Sequence, residues 1–367
     1  MNLVVAFRAD ASSQMGTGHV MRCLTLANAW RTKGATCTFI CREHAGNLID
    51  YIRDQNFEVI CLPLELESTT QRQFRDEYEE WLGCSEEDDA NQVIEALSQA
   101  NIKFDWIVVD HYGISEKWES RVRSLTNKIM VIDDLANRKH DCDLLLDQTF
   151  GRSAKDYSKF VSINTKILSG TNYAILRPEF IQWRKRSLDY RKVPKLKNVM
   201  ISMGGADKDN YSVKILQALY LHGFIDKATI TIVTGPAYAY TEDLLRFIDK
   251  YALNVCVKSN ISNSAELMAG QDLCIGAAGS TSWERCCLGL PTVMFVIAEN
   301  QNVIAKNLET QGAVCLTNLE KFNGFLGYIN GLSQIQTKNK LAEMSASGLN
   351  ICDGLGTERI LKEIYEL

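Results

Sequence analysis

No apolar run in these 367 residues approaches the roughly 18–20 needed to cross a bilayer, so no membrane insertion is expected. Positive charge is not in surplus either. The 40 lysines and arginines stand against 45 aspartates and glutamates, leaving a formal net charge of -5 and no general basic surface for nucleic acid. Met1-Asn2 runs straight into an apolar strand pattern with no room for a signal peptide, so the expected address is cytoplasmic. Twelve cysteines include no Cys-x-x-Cys. Cys37/Cys41 and Cys286/Cys287 lack second halves at zinc spacing, and His44 beside Cys41 adds only a weak cluster; no structural metal is expected. Cys23, Cys61, Cys256, Cys274 and Cys315 sit in apolar contexts and read as core. Gly16-Thr17-Gly18 lacks a third glycine and stands too far past its strand for dinucleotide binding, so no cofactor is expected.

What is present is a chain long enough for two cores, with 46% hydrophobic and 23% charged residues, as in ordinary globular proteins. Short apolar strand patterns at 3–7, 36–41, 59–62, 106–110, 128–132 and 144–147 alternate with helix patterns, including one over 45–54. That alternation predicts a parallel sheet. The acidic stretch at about 65–92 reads as an insertion or a mobile flap. Arg184-Lys185-Arg186 to Lys195-Leu196-Lys197, with Pro194 inside, reads as a solvated linker. Strand signals restart at 199–203, 228–233, 255–258, 273–275 and 292–297, and residues 361–365 suggest a terminal helix.

His19 stands where the Gly16-Thr17-Gly18 loop turns into a helix pattern over 20–30. The two glycines let a ligand approach the backbone, and a neutral imidazole beside a ligand is a competent general base. Asp10 is the carboxylate expected to orient it. Polar residues also end the later strands, at Asp110-His111-Tyr112 and Asp133-Asp134, where open α/β sheets bind ligands. In the second half, Gly204-Gly205 follows a strand and permits close contact with a phosphate. Asp272 to Glu284 runs from strand through a small-residue turn to a helix start, with Ser280 or Thr281 as the expected cap. Its amides, from Gly279 to Ser282, suit a diphosphate, and Glu284 can accept both hydroxyls of a ribose.

The second half resembles the nucleotide-binding domain of GT-B glycosyltransferases, especially the N-acetylglucosaminyltransferase of peptidoglycan synthesis. The matching elements are Gly204-Gly205, Ile261 ahead of the helix 264–269, Gly279 to Glu284, Gly289-Leu290-Pro291 and Gln301. Phe7 to Gln14, the Gly16–His19 loop, Asp110 to Ser115 and Tyr173 to Arg177 narrow this. Together they resemble the UDP-sugar hydrolase family of pseudaminic acid biosynthesis, which releases UDP from UDP-2,4-diacetamido-2,4,6-trideoxy-β-L-altropyranose. The resemblance implies a GT-B-like α/β fold, with two Rossmann-like domains facing across a cleft: residues 1–185 for sugar and catalysis, 196–367 for UDP. It implies His19 as base, with Tyr112 and Asn300 in the active site. Asp10, Gly16, Gly18, Arg22 and Arg177 are expected on the sugar. Gly204, Gly205, Ile261, Gly279, Ser280, Thr281, Ser282, Glu284 and Gln301 are expected on UDP.

Hydrolysis at an anomeric carbon normally uses two carboxyl groups, one of them protonating a poor leaving group. UDP already leaves well, so one base and a donor array for the phosphate suffice. The expected partners are thus a UDP-sugar and water, with inversion. Three alternatives share parts of this pattern. A GT-B glycosyltransferase would add an acceptor, a sugar-nucleotide sensor would not need His19, and a metal-dependent transferase would use Asp141 and Asp143.

Overall fold

Runs rich in branched apolar residues become strands buried on both faces, as parallel sheets covered by helices require. The protein is described here by a computed structural model covering residues 3–64, 77–100, 103–235, 238–259, 261, 263–331 and 333–367. It divides into two units, one of residues 1–175 with 356–367 and one of residues 176–355.

The first unit is a seven-stranded parallel sheet. Its strands are β1 (Val4–Ala9), β2 (Thr36–Arg42), β3 (Glu58–Leu62), β4 (Phe104–Asp110), β5 (Thr126–Ile132), β6 (Leu144–Asp147) and β7 (Lys166–Ser169). The order is β3-β2-β1-β4-β5-β6-β7. Alternation along β1 sends Val5, Phe7 and Ala9 to one face, against Val20, Leu26 and Trp30 of the helix Gly18–Arg31. Ala6 goes to the other face, with Ile107, Val109 and Trp118. Each fully buried side chain of this size contributes about 1.5–3 kcal/mol.

The acidic stretch is largely helical where it is described. Residues 65–76 of it lie outside the described residues. From there the chain forms the helices Glu77–Leu82 and Glu86–Ala100. The second buries Asp89, Ala90, Val93 and Leu97. Asp89 accepts from Arg8 (Nη2, 2.6 Å), Arg42 (Nη2, 2.6 Å) and Trp118 (Nε1, 2.8 Å), fixing this helix to the sheet.

The second unit holds six parallel strands: β8 (Asn198–Ser202), β9 (Thr229–Thr234), β10 (Val255–Ser259), β11 (Leu273–Ala277), β12 (Thr292–Phe295) and β13 (Val314–Thr317). Their order is β10-β9-β8-β11-β12-β13. β7 and β13 have no counterpart in the sequence reading. Both are four-residue edge strands, too short to impose a period. Cys256, expected in the core, is exposed on the edge strand β10.

The basic stretch read as a linker overlaps the helix Pro178–Arg191, with proline at its first turn. Arg184 donates to the carbonyls of Cys287, Cys352 and Leu349, and Arg191 to those of Gly289, Ala269 and Met268. The Ala269, Cys287 and Leu349 carbonyls belong to the last residues of helices, where internal donors run out. The final helix, Gly356–Tyr365, packs Ile360, Leu361 and Ile364 into the core of the first unit. Gly356 is required there, since a Cβ would lie 2.2 Å from the Ala174 carbonyl oxygen. Among the described residues no helix is long and apolar enough to cross a membrane.

Candidate active site

The loop after β1 is closed by paired backbone hydrogen bonds between Ser12 and Gly16, at 2.9 and 3.3 Å. Gly16 takes φ +78°, which favours glycine. A Cβ on Gly18 would meet nothing within 4 Å, so no protein contact demands glycine there. His19 follows on the first helical turn and is 7% exposed. Its Nδ1 lies 2.6 Å from Asp110 Oδ1, and its ring meets Tyr112 edge-on at 4.6 Å between centroids.

Asp110 is wholly buried and clamped by Arg22, through Nε to Oδ2 at 2.6 Å and Nη2 to Oδ1 at 2.7 Å. Burial alone would raise this carboxyl, but Arg22 and His19 outweigh it and hold it well below the usual carboxylate range. An ionised Asp110 can only accept, so His19 Nδ1 donates, and in the neutral imidazole the lone pair is then on Nε2. That is the arrangement of an oriented general base.

Arg22, expected on the sugar, is committed elsewhere. Its third nitrogen pairs with Asp134, whose Oδ2 also accepts from Tyr112 Oη at 3.0 Å. Tyr112 is backed by Tyr78 and Trp81 at ring distances of 5.4 and 6.1 Å.

Asp10 is the main correction. It does not touch His19 and is fully buried, with Arg8 Nη1 at 2.7 Å and the Arg42 amide donating at 2.7 Å. Its Oδ2 is 3.7 Å from Nε2 of both His44 and His111. The reason is the two-residue period of a strand. Asp10 shares a face with Ala6 and Arg8, away from the helix Gly18–Arg31, whereas Asp110 shares a face with Trp106 and Val108, towards it.

Burial, opposed by Asp10, pushes the His111 imidazole down to about 3. Its neutral form therefore stabilises the fold fully above the unfolded value of about 6.5, and this contribution is lost as pH falls towards the folded value. Between about pH 7.5 and pH 5, His111 should cost about 2 kcal/mol of stability. Urea unfolding of wild type and His111→Gln at both pH values checks this. An identical pH dependence in the two proteins would remove His111 from the account.

In the second unit, Gly204 (φ +93°) and Gly205 form an exposed loop after β8. Ile261 is half-buried ahead of the helix Ser264–Ala269, which Asn263 caps. The helix Thr281–Cys287 starts beyond β11, and Ser280 makes no side-chain cap. Gly279 N–H instead donates to Ser282 Oγ at 3.3 Å, while Ser282 N–H donates to the Gly279 carbonyl at 2.8 Å. Ser282 is buried. The expected four-amide array thus reduces to the exposed Ser280 and Thr281, whose N–H groups have no partner among the described residues.

Arg177, expected on the sugar, belongs to the second unit. It donates to Ser264 Oγ at 2.5 Å and lies 3.8 Å from Glu284 Oε1. Burial pushes the Glu284 carboxyl up, with Arg177 and Arg285 pulling against it. Gln301 Oε1 accepts from the Ile297 amide at 3.0 Å, and Asn300 is exposed in the same turn, Glu299–Gln301. Asp141 and Asp143, the alternative metal pair, are both taken up by Arg123. Among the described residues no group of three His, Cys, Asp or Glu is placed to hold a metal ion.

Residues 198–351 match the glycosyltransferase family 28 C-terminal domain. MurG of Acinetobacter baumannii superposes with a TM-score of 0.66 over all of both chains, at 14% identity. The chain has the GT-B fold. Protein MJ1062 of Methanocaldococcus jannaschii is 30% identical over 302 residues, 81% of this chain and 56% of that protein, so the chain spans little more than half of that relative. The UDP-2,4-diacetamido-2,4,6-trideoxy-beta-L-altropyranose hydrolase of Campylobacter jejuni is 29% identical over 309 residues, 84% of this chain and 97% of that enzyme.

Proposed function

We propose that this chain hydrolyses a UDP-linked 2,4-diacetamido-2,4,6-trideoxyhexose to UDP and free sugar, without a metal, in pseudaminic acid biosynthesis. The observation that carries the reading is the His19–Asp110 pair, with Nε2 left as the basic nitrogen. The similarity to the Campylobacter jejuni hydrolase along most of both chains supports the substrate class. In this reaction Nε2 takes a proton from water as its oxygen bonds to the anomeric carbon. The bond from that carbon to the β-phosphate oxygen breaks, and its electron pair leaves with UDP. One base opposite the leaving group gives inversion.

A glycosyltransferase would need the same base for an acceptor hydroxyl, and the family 28 match keeps that reading alive. UDP release from a panel of UDP-sugars, with chelator and no acceptor, separates the two. Release that His19→Ala abolishes supports hydrolysis, whereas release only on adding an acceptor overturns it.

Glu284 is proposed to accept the ribose hydroxyls. Glu284→Ala should weaken UDP binding by about 1.5–3 kcal/mol, the scale of hydrogen bonds to a charged group. Calorimetric titration with UDP checks this, and equal affinity in both proteins would leave Glu284 as a helix residue only.

A further inference from the structure

The acidic stretch supplies the helix Glu77–Leu82, and this helix reaches the candidate active site. Leu82 anchors it in the core of the first unit, wholly buried with Ile107 and Trp118. Tyr78 and Trp81 stand three residues apart on one helix face, their rings edge-on at 5.0 Å between centroids. Both are half-buried, and both meet the ring of Tyr112. Tyr78 lies edge-on to it at 5.4 Å, and Trp81 lies at 6.1 Å with 29° between the planes. These separations fall within the about 4.5–7 Å at which aromatic pairs attract. Gly113, next in the chain, lets the helix come this close, since a Cβ there would stand 2.3 Å from the Tyr78 carbonyl oxygen.

His19 Nδ1 is held by Asp110, and that hydrogen bond does not by itself fix the plane of the imidazole. The plane decides where Nε2 points. Tyr112 lies against the imidazole with 84° between the planes, and its own ring is fixed in two ways. Its Oη is tied to Asp134, and its flank lies against Tyr78 and Trp81. A reacting group must be held within about 10–20° of its productive direction, and packing is what locks a side chain to that precision.

We infer that Tyr78 and Trp81 are positioning residues: they seat the Tyr112 ring against His19 and so fix the direction of Nε2. The inference rests on His19 acting as the base in the reaction proposed above. Neither ring has to touch the sugar for this effect.

The test compares Trp81→Ala, Tyr78→Ala and Trp81→Phe with wild type, using UDP release from the UDP-sugar that wild type cleaves fastest. Both alanine variants should lose roughly tenfold or more in kcat with KM and UDP affinity within about twofold, since a displacement of about 1 Å can cost on the order of 10²-fold. Trp81→Phe keeps a flat ring and should recover most of the loss. Proton NMR gives a second readout, the His19 imidazole signal being assigned among the five histidines by its absence in His19→Asn. That signal should move in both alanine variants and stay near its wild-type position in Trp81→Phe. Trp81→Leu, bulky and apolar but without a flat ring, repeats the comparison if urea titration shows the alanine variant unfolded. Undiminished kcat, a loss confined to KM, or a lowered kcat with the His19 signal unmoved would each overturn the inference. Wild type that releases UDP from no UDP-sugar would overturn the hydrolase reading, and the His19 signal alone would then decide whether these rings set the imidazole.

Discussion

His19→Ala and His19→Asn should each lower turnover by at least roughly 10²-fold, the usual scale for a positioned base, while UDP affinity stays unchanged. The expectation follows from the division of roles. His19 Nε2 is needed only to take a proton from water, and the proposed UDP contacts belong to other residues. Proton NMR on freshly cleaved substrate should show the inverted anomer before it mutarotates. Retained configuration would require a double displacement, for which a lone imidazole is the wrong catalyst. Undiminished turnover in either variant would remove His19 from the mechanism.

The parallel strands near the centre of both sheets were legible because each is a short apolar run bounded by polar residues. β7 and β13 were not, since four residues at a sheet edge carry no period. His19 could be placed from its glycines and the helix pattern behind it. Its orienting carboxylate could not be chosen by proximity in sequence, which favoured Asp10. The parity of each strand carries the better signal. Asp110 is in register with Trp106 and Val108, and Asp10 with Ala6 and Arg8, so the two aspartates leave the sheet on opposite faces. What sequence alone lacked was the face on which the helix Gly18–Arg31 packs. Charge runs misled for a different reason. Arg184 and Arg191 look solvated in the bare sequence, yet their long side chains reach carbonyls at and just beyond helix ends, up to 168 positions away. Arg22 likewise reads as a free cation until Asp110 and Asp134 are brought to it.

The two aspartates give the sharpest contrast. Asp110→Asn should lower turnover by about 10²–10⁴-fold in protein that remains folded, as loss of an orienting carboxylate does in a catalytic triad. The neutral amide no longer fixes the proton on His19 Nδ1. It can donate to that nitrogen instead, which leaves the proton on Nε2 and no base facing the water. Arg22 keeps Asp134, so part of its charge remains paired. Asp10→Asn should do the reverse. It removes one of the two carboxylates paired with the fully buried Arg8, and because Asp89 stays, the stability loss should be smaller than the about 3–5 kcal/mol of a buried pair left with no partner. Its folded fraction should still turn over at close to the wild-type rate, because Asp10 does not contact His19. Measuring urea stability and active-site-normalised kcat on both variants separates the roles. A stable but inactive Asp10→Asn beside an active Asp110→Asn would restore Asp10 as the orienting carboxylate and undo the assignment made from strand parity.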